Sequence, residues 1–383
     1  MRLTVAIFSL FVFSFICCCQ TKEQSNKSDN LPKEKSASIN IVEDHFGRIG
    51  ERDVLIFTIQ NQQGTKVKIT NYGATITSIK TNDKNGQPGE IVLGFDSLPG
   101  YTGRHPHYGN TIGRFANRIG GASFTLEGKS YQLARNSGSN HIHGGESGFD
   151  EKIWEAESFS LDTIAGVSMS YFSKHLEEGY PGNLEVRVDF SLNNENELMI
   201  DYTAHTDQTT IINLTNHSYF NLNPSASQVL DHEVKLYASR YTPVDEEQIP
   251  TGQVLPVANT PFDFTNLKKI GRDLESTANG YDHNFVVDQI SGLDLVPAAF
   301  IYERESGRTM EVLTTKPGMQ FFTANFPDDR YQSRGKLLKK HGAFCVETQY
   351  FPDAPNHENF PEAVLRPGEI YHHQTIFKFG IKP

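Results

Sequence analysis

Two histidines one residue apart, in NHIHGG at 140–145, are the first residues that invite chemistry. On a strand, His141 and His143 would point to one face and could grip one metal ion. They could equally form part of a polar edge that recognises a sugar, with the glycine pair letting the backbone approach a ligand closely. A cupin-like metal site would need a Glu a few residues on and a distant partner histidine. Glu146 follows as HxHxxE, one residue short of the usual gap, and no second motif matches, so the metal reading has little support. Five other segments set polar groups beside glycines or aromatics: GRFANRIGG at 113–121, NLTNHSYFNL at 213–222, GYDHNF at 280–285, PGMQFFTANF at 317–326 and FCVETQYFPDA at 344–354. That mixture suits a sugar pocket, where aromatic faces pack on C–H surfaces and planar amides and carboxylates bond vicinal hydroxyls. Asp282 and Glu347 could be the two carboxylates of a glycosidase. Glu347 could instead be a base working with a histidine acid, moving a proton between two oxygens near neutral pH.

The elements that must position these residues have a period of two. KVKIT at 66–70, LEVRVDFSLN at 184–193, LMIDYTAH at 198–205 and YHHQTIFKF at 371–379 all alternate. SFTLEGKSYQL at 123–133 reads as a hairpin around Glu127-Gly128-Lys129, and FIYERESGRTMEVLTT at 300–315 as another near Ser306-Gly307. ENFPEAVL at 358–365 is the best helical candidate, at one or two turns. With no repeat and no linker between 40 and 380, the expected fold is all-β, a single large antiparallel β-sandwich with long loops.

The 383 residues carry 35 Lys+Arg against 46 Asp+Glu, a formal charge of −11. Such an acidic chain lacks the basic face that nucleic acid requires. Of four cysteines, Cys17, Cys18 and Cys19 stand together and only Cys345 lies in the body, so no disulfide framework can form there. Cys345, within AFCVE, reads as a small buried hydrophobe. Arg2 and the apolar run LTVAIFSLFVFSFI resemble a secretory signal, too short for a spanning helix. Its closing cysteines resemble a bacterial lipobox, with Cys19 the best-placed lipid acceptor. The expected organisation is a lipoprotein-type signal over 1–19, a polar disordered tether over 20–38, and a β-sandwich domain over 39–383. The protein is thus expected to be exported to the periplasm or cell envelope and to touch membrane only through that lipid.

At these segments the chain resembles the aldose 1-epimerase (galactose mutarotase) family, from about residue 43 to the end. The resemblance is carried by NYGATI at 71–76, GNTIGRFANRI at 109–119, HGG at 143–145, NLTNHSYFNL, PTG at 250–252, TPFDF at 260–264, GYDHNF, MQFFTANF at 319–326, ETQ at 347–349 and LRPGEIY at 365–371. It implies a β-sandwich with an open sugar cleft, in which Glu347 is the general base and His217 the general acid. Asn117, Arg118, His143, Asp282 and Gln320 would hold the sugar. Glu347 would take the C1 hydroxyl proton while a protonated His217 gives one to the ring oxygen, the two being charged together near neutrality at their reference pKa values of about 4.3 and 6.5. The substrate expected is a free hexose such as galactose or glucose, and the chain is expected to be a monomer. No cofactor is required, although loop oxygens of Asp, Glu and Asn leave a structural cation such as calcium open. A glycan-binding lipoprotein without turnover is the alternative, and it would need neither acid nor base.

Overall fold

Alternation becomes burial along the strand Leu184–Asn193. Leu184, Val188, Phe190 and Leu192 are fully buried while Glu185 and Arg187 face solvent. Each such apolar side chain contributes about 1.5–3 kcal/mol on leaving water. This strand sits in a nine-stranded sheet that also takes in Glu155–Ser160, Ile164–Ser173, Glu197–Thr206 and Tyr371–Ile381. Every pairing in it is antiparallel. The computed structural model describes residues 39–289 and 294–382. The signal and tether expected at 1–19 and 20–38 lie outside these described residues.

Among the described residues, five two-stranded pairs accompany two further sheets of five strands each. One runs through Asn40–Ile49, Arg52–Gln60, Lys66–Thr70, Thr75–Asn82 and Pro88–Glu90. The other contains Arg240–Thr242, Leu255–Pro256, Asp282–Val286, Gly318–Phe322 and Cys345–Gln349. One apolar cluster draws Phe57 and Ile69 from the first, Val186 and Phe190 from the nine-stranded sheet, and Phe285, Met319 and Phe321 from the second. The fold is therefore the expected antiparallel β-sandwich. Both expected hairpins are present, as Ser123–Leu126 with Lys129–Gln132 and Val296–Tyr302 with Arg308–Thr314.

ENFPEAVL departs from expectation. No helix forms there; a single 3-10 turn, Ala354–Asn356, precedes it. Val364–Leu365 instead pairs with Thr210–Ile211. Phe360, Ala363 and Leu365 are buried, the first two in a second apolar cluster with Phe115 and Phe351. Tertiary burial of an extended segment outweighs a weak local helical preference.

In GRFANRIGG the two arginines part company. Arg114 is 2% exposed, and its guanidinium donates to the carbonyls of Ser173, Lys174, Pro181 and Gly182. It ties those loops together, whereas Arg118 stands half-buried on the short strand Arg118–Ile119.

Candidate functional site

The strands Asp282–Val286, Gly318–Phe322 and Cys345–Gln349 run side by side, and period two decides what each face carries. Asn284, Gln320 and Glu347 stand directly opposite one another, as do Asp282, Phe322 and Cys345. Directly opposed residues share a face, so Asp282, Gln320 and Glu347 project together. Phe285, Met319, Phe321 and Val346 project the other way into the apolar core. The Gln320 Nε2 donates to Asp282 Oδ1 at 2.6 Å, which fixes both side chains.

His217 comes from a different part of the chain. It follows the short strand Thr215–Asn216, which pairs with Thr111–Ile112. Its N–H donates to the carbonyl of Asn110, and its own carbonyl accepts from Gly109. The ring is held on several sides: stacked on Tyr219 at 5.0 Å and on His107 at 6.0 Å, and edge-on to His143 at 5.2 Å. Its Nε2 lies 3.5 Å from Glu347 Oε2, and its Nδ1 lies 3.6 Å from Cys345 Sγ. Cys345 is buried as expected, but it does more than fill space. Its sulfur engages Nδ1 and leaves Nε2 as the nitrogen for proton transfer, a role that a run of apolar neighbours gives no hint of.

All seven sequence candidates, Asn117, Arg118, His143, His217, Asp282, Gln320 and Glu347, line one pocket of about 320 Å³. A second cavity of about 350 Å³ is lined by Glu90, Ile91, Ser225 and Arg334 among others, and its Glu90 already faces Arg334 at 3.5 Å. His105, His107 and Tyr219 also line the first pocket and were not singled out from sequence. Within the pocket, Glu347 Oε2 and Gln320 Oε1 are buried with no hydrogen-bond partner among the described residues. Buried polar atoms left unpaired cost free energy, so they mark where a ligand's hydroxyls belong.

NHIHGG resolves differently from its strand reading. The strand His141–Ile142 stops there, and His143 adopts a left-handed φ of 55°, so the two rings do not share a face. His143 turns toward His217, and its Nδ1 accepts from the Asn117 N–H at 3.2 Å. His141 is fully buried, bonded to the Ala134 carbonyl at 2.8 Å and the Tyr180 hydroxyl at 2.6 Å. The glycines serve loop packing rather than ligand approach. A Cβ on Gly144 would lie 1.9 Å from the Gly113 carbonyl oxygen, and one on Gly145 would lie 2.1 Å from the Glu178 carboxylate. The chelating cluster that does exist joins His143, His217 and Glu347, whose donor atoms lie within 4.8 Å of one another.

The aldose 1-epimerase family model matches residues 56–378, most of the chain. The chain belongs to the aldose 1-epimerase family. It is 44% identical to galactose mutarotase of Bos taurus over 336 residues, covering 87% of this chain and 96% of the bovine one. It is 32% identical to aldose 1-epimerase of Escherichia coli over 331 residues, 85% of this chain and 94% of that one. The crystal structure of galactose 1-epimerase from Lactobacillus acidophilus superposes with a TM-score of 0.80 at 28% identity, covering 90% of this chain and all of that one. The protein is thus an isomerase acting at the anomeric carbon of a free aldose.

In this aldose 1-epimerase, burial works against charge on both members of the acid–base pair. Burial, and then the Asp282 charge, push Glu347 well above the usual carboxylate range, with Arg118 opposing. Burial, and then the neighbouring His107, lower His217 to about 3. Their 3.5 Å separation would suit an ion pair, but desolvation of both partners outweighs their attraction. Burial thus shifts both groups away from the charged pair that their reference pKa values would give near neutrality. The neutral pair nevertheless holds one proton in total, the same number as the ion pair. Burial likewise keeps the His143 imidazole neutral, and with Nδ1 accepting from Asn117 its proton sits on Nε2, free to donate to a hydroxyl oxygen.

The two histidines of NHIHGG should separate experimentally. His143→Ala is expected to lower kcat/KM about 100-fold, the scale of a misplaced reacting group. His141→Ala is expected to leave kcat within a factor of about three. It should instead cost about 2 kcal/mol of stability, because it strands a buried tyrosine hydroxyl and a carbonyl. Polarimetry and thermal unfolding of both variants check this, and equal kinetic damage would contradict the assignment.

Proposed function

We propose that the enzyme interconverts the α and β anomers of free hexoses, galactose and glucose foremost, with Glu347 as base and His217 as acid. The observation that carries this reading is the Glu347–His217 pair, 3.5 Å apart at the pocket wall with Glu347 Oε2 unpartnered. When a cyclic sugar binds, its hydroxyls replace the solvation that burial removed. The shared proton then passes to His217 Nε2. Glu347 takes the proton of the C1 hydroxyl as His217 protonates the ring oxygen, and the C1–O5 bond breaks to give the aldehyde. This leaves protonated Glu347 and neutral His217, the direction in which burial shifts both groups. Rotation about C1–C2 presents the other carbonyl face. His217 then removes the C5 hydroxyl proton, the C1–O5 bond re-forms, and Glu347 returns its proton to the carbonyl oxygen as the opposite anomer. Each proton is returned, so the cycle consumes no cofactor.

Arg118 and Asp282 flank this chemistry with charges that suit hydroxyl recognition. Asn117 and Gln320 supply amides, and His143 a neutral imidazole. The enzyme acts as a monomer outside the cytoplasm, anchored by lipid on Cys19. The short apolar N-terminal run ending in cysteines supports that location. Mass spectrometry of the mature protein should find lipid-modified Cys19 at the N terminus. An unmodified N terminus would leave an ordinary secreted enzyme. The activity itself is tested by polarimetry of fresh α-galactose and α-glucose. Rotation should relax much faster with the enzyme than in buffer alone, and relaxation no faster than in buffer would overturn the reading.

A further inference from the structure

Two pocket histidines, His105 and His107, stand outside the seven residues and differ in how they are used. His105 is fully engaged: its Nδ1 accepts the Tyr108 N–H at 3.2 Å, and its Nε2 reaches the Tyr101 carbonyl at 3.0 Å. His107 is engaged on one side. Its Nδ1 lies 2.9 Å from Asp150 Oδ2, a carboxylate on the 3-10 turn Phe149–Glu151 that is only 12% exposed. Among the described residues no protein group bonds its Nε2, and its side chain is 35% exposed at the pocket wall. The His107 backbone is left-handed, with φ 59°, an uncommon conformation outside glycine that the surroundings must sustain. Its ring centroid sits 5.1 Å from His143 and 6.0 Å from His217.

We infer that His107 is a further sugar-binding residue, oriented by Asp150, and that its Nε2 bonds the hydroxymethyl group carried by C5. This deepens the reading of the pocket as an aldose site and rests on it. On a pyranose the ring oxygen has two neighbours. C1 bears the hydroxyl that belongs to Glu347, and C5 bears C6. His217 serves the oxygen between them. Gln320 stands opposite Glu347 in the sheet and holds Asp282, and the Arg118 charge acts on both carboxylates. These groups therefore gather on the Glu347 side. His107 packs on His217 and His143 and stays outside the cluster that joins those two rings to Glu347. It thus lies beside the acid, toward C5. With Nδ1 turned to the Asp150 carboxylate, Nε2 is the ring nitrogen left to bond a hydroxyl.

The test compares galactose with 6-deoxygalactose, which lacks only the C6 hydroxyl. His107→Phe keeps a ring against His217 and removes both nitrogens. KM for galactose should rise about tenfold, the effect of losing one pocket hydrogen bond. KM for 6-deoxygalactose should match that of the unaltered enzyme. Asp150→Asn leaves the ring less firmly aimed and should give a smaller rise with the same sugar dependence. An equal rise for both sugars, or no rise for galactose, overturns the assignment. Thermal unfolding establishes that each variant is folded, and Asp150→Asn carries the comparison if His107→Phe is not. Should the unaltered enzyme turn over neither sugar, the activity reading falls, and calorimetric titration of the same two sugars decides the role of His107 separately.

Discussion

Replacing Glu347 with Gln is expected to lower kcat about 1000-fold while making the protein harder to melt at pH 8. Gln has nearly the shape of a protonated carboxylic acid, so the fully buried site can keep its packing and its row with Gln320 and Asn284. What it cannot do is take a proton from the C1 hydroxyl, and a positioned base typically supplies about 10²–10⁴ in rate. The stability gain follows from the direction of the Glu347 shift. Its folded pKa is raised by burial and by Asp282. Below its unfolded pKa, about 4.3, both folded and unfolded chains carry the proton and nothing is lost. As pH rises from there the unfolded chain ionises while the folded chain keeps its proton, so the native state loses stability up to the folded pKa. Gln does not titrate. The melting temperatures of variant and unaltered enzyme should therefore nearly coincide at pH 4 and diverge by a few degrees at pH 8. A variant that keeps its turnover, or that melts lower at pH 8, would remove Glu347 from its role.

The second large effect concerns His217. His217→Asn should lower kcat by about 100-fold or more, since proton donation to the ring oxygen is lost, with a smaller change in KM. The unaltered enzyme should show a kcat/KM profile that reveals how the pair is tuned. Reference pKa values would confine the one-proton state to a narrow bell between about 4.3 and 6.5. With His217 at about 3 and Glu347 held well above the carboxylate range, the one-proton state spans a wide plateau. Activity should fall on the acid side only as pH approaches about 3, where His217 takes a second proton. The alkaline fall is set by loss of the Glu347 proton. In His217→Asn the residual activity depends on ionised Glu347 alone, so the acid limb should move upward toward the raised Glu347 pKa. An acid limb centred on pH 5–6 in the unaltered enzyme would show that desolvation does not govern the pair.

How much of this could be read from the chain depends on the range of the interactions involved. Alternation in LEVRVDFSLN and LMIDYTAH is a local consequence of the pleat, so both strands were legible along with the sandwich they imply. The seven pocket candidates rested on motifs that recur together, and all seven line the pocket. His107 was missed because HPHY carries no spacing that implies a site. Its role depends on Asp150, 43 residues away, and on a backbone angle that sequence does not display. Cys345 was legible as buried but not as the neighbour of His217, 128 residues earlier. In NHIHGG the error lay in assuming that the strand continued. A single left-handed residue at His143 reverses the direction of its side chain, and only the finished loop shows that Gly144 must make way for Gly113.

The Arg114 clamp has a kinetic meaning. One guanidinium draws together carbonyls from 173–174 and 181–182. The base and its neighbours stand on three strands already bonded edge to edge. The catalytic carboxylate therefore does not have to be swung into place when a sugar arrives. A site assembled in advance in this way is expected to run at the pace of proton transfer and bond rotation. Thickening the solvent with sucrose or glycerol, which slows the swing of lids and the escape of products, should barely touch kcat.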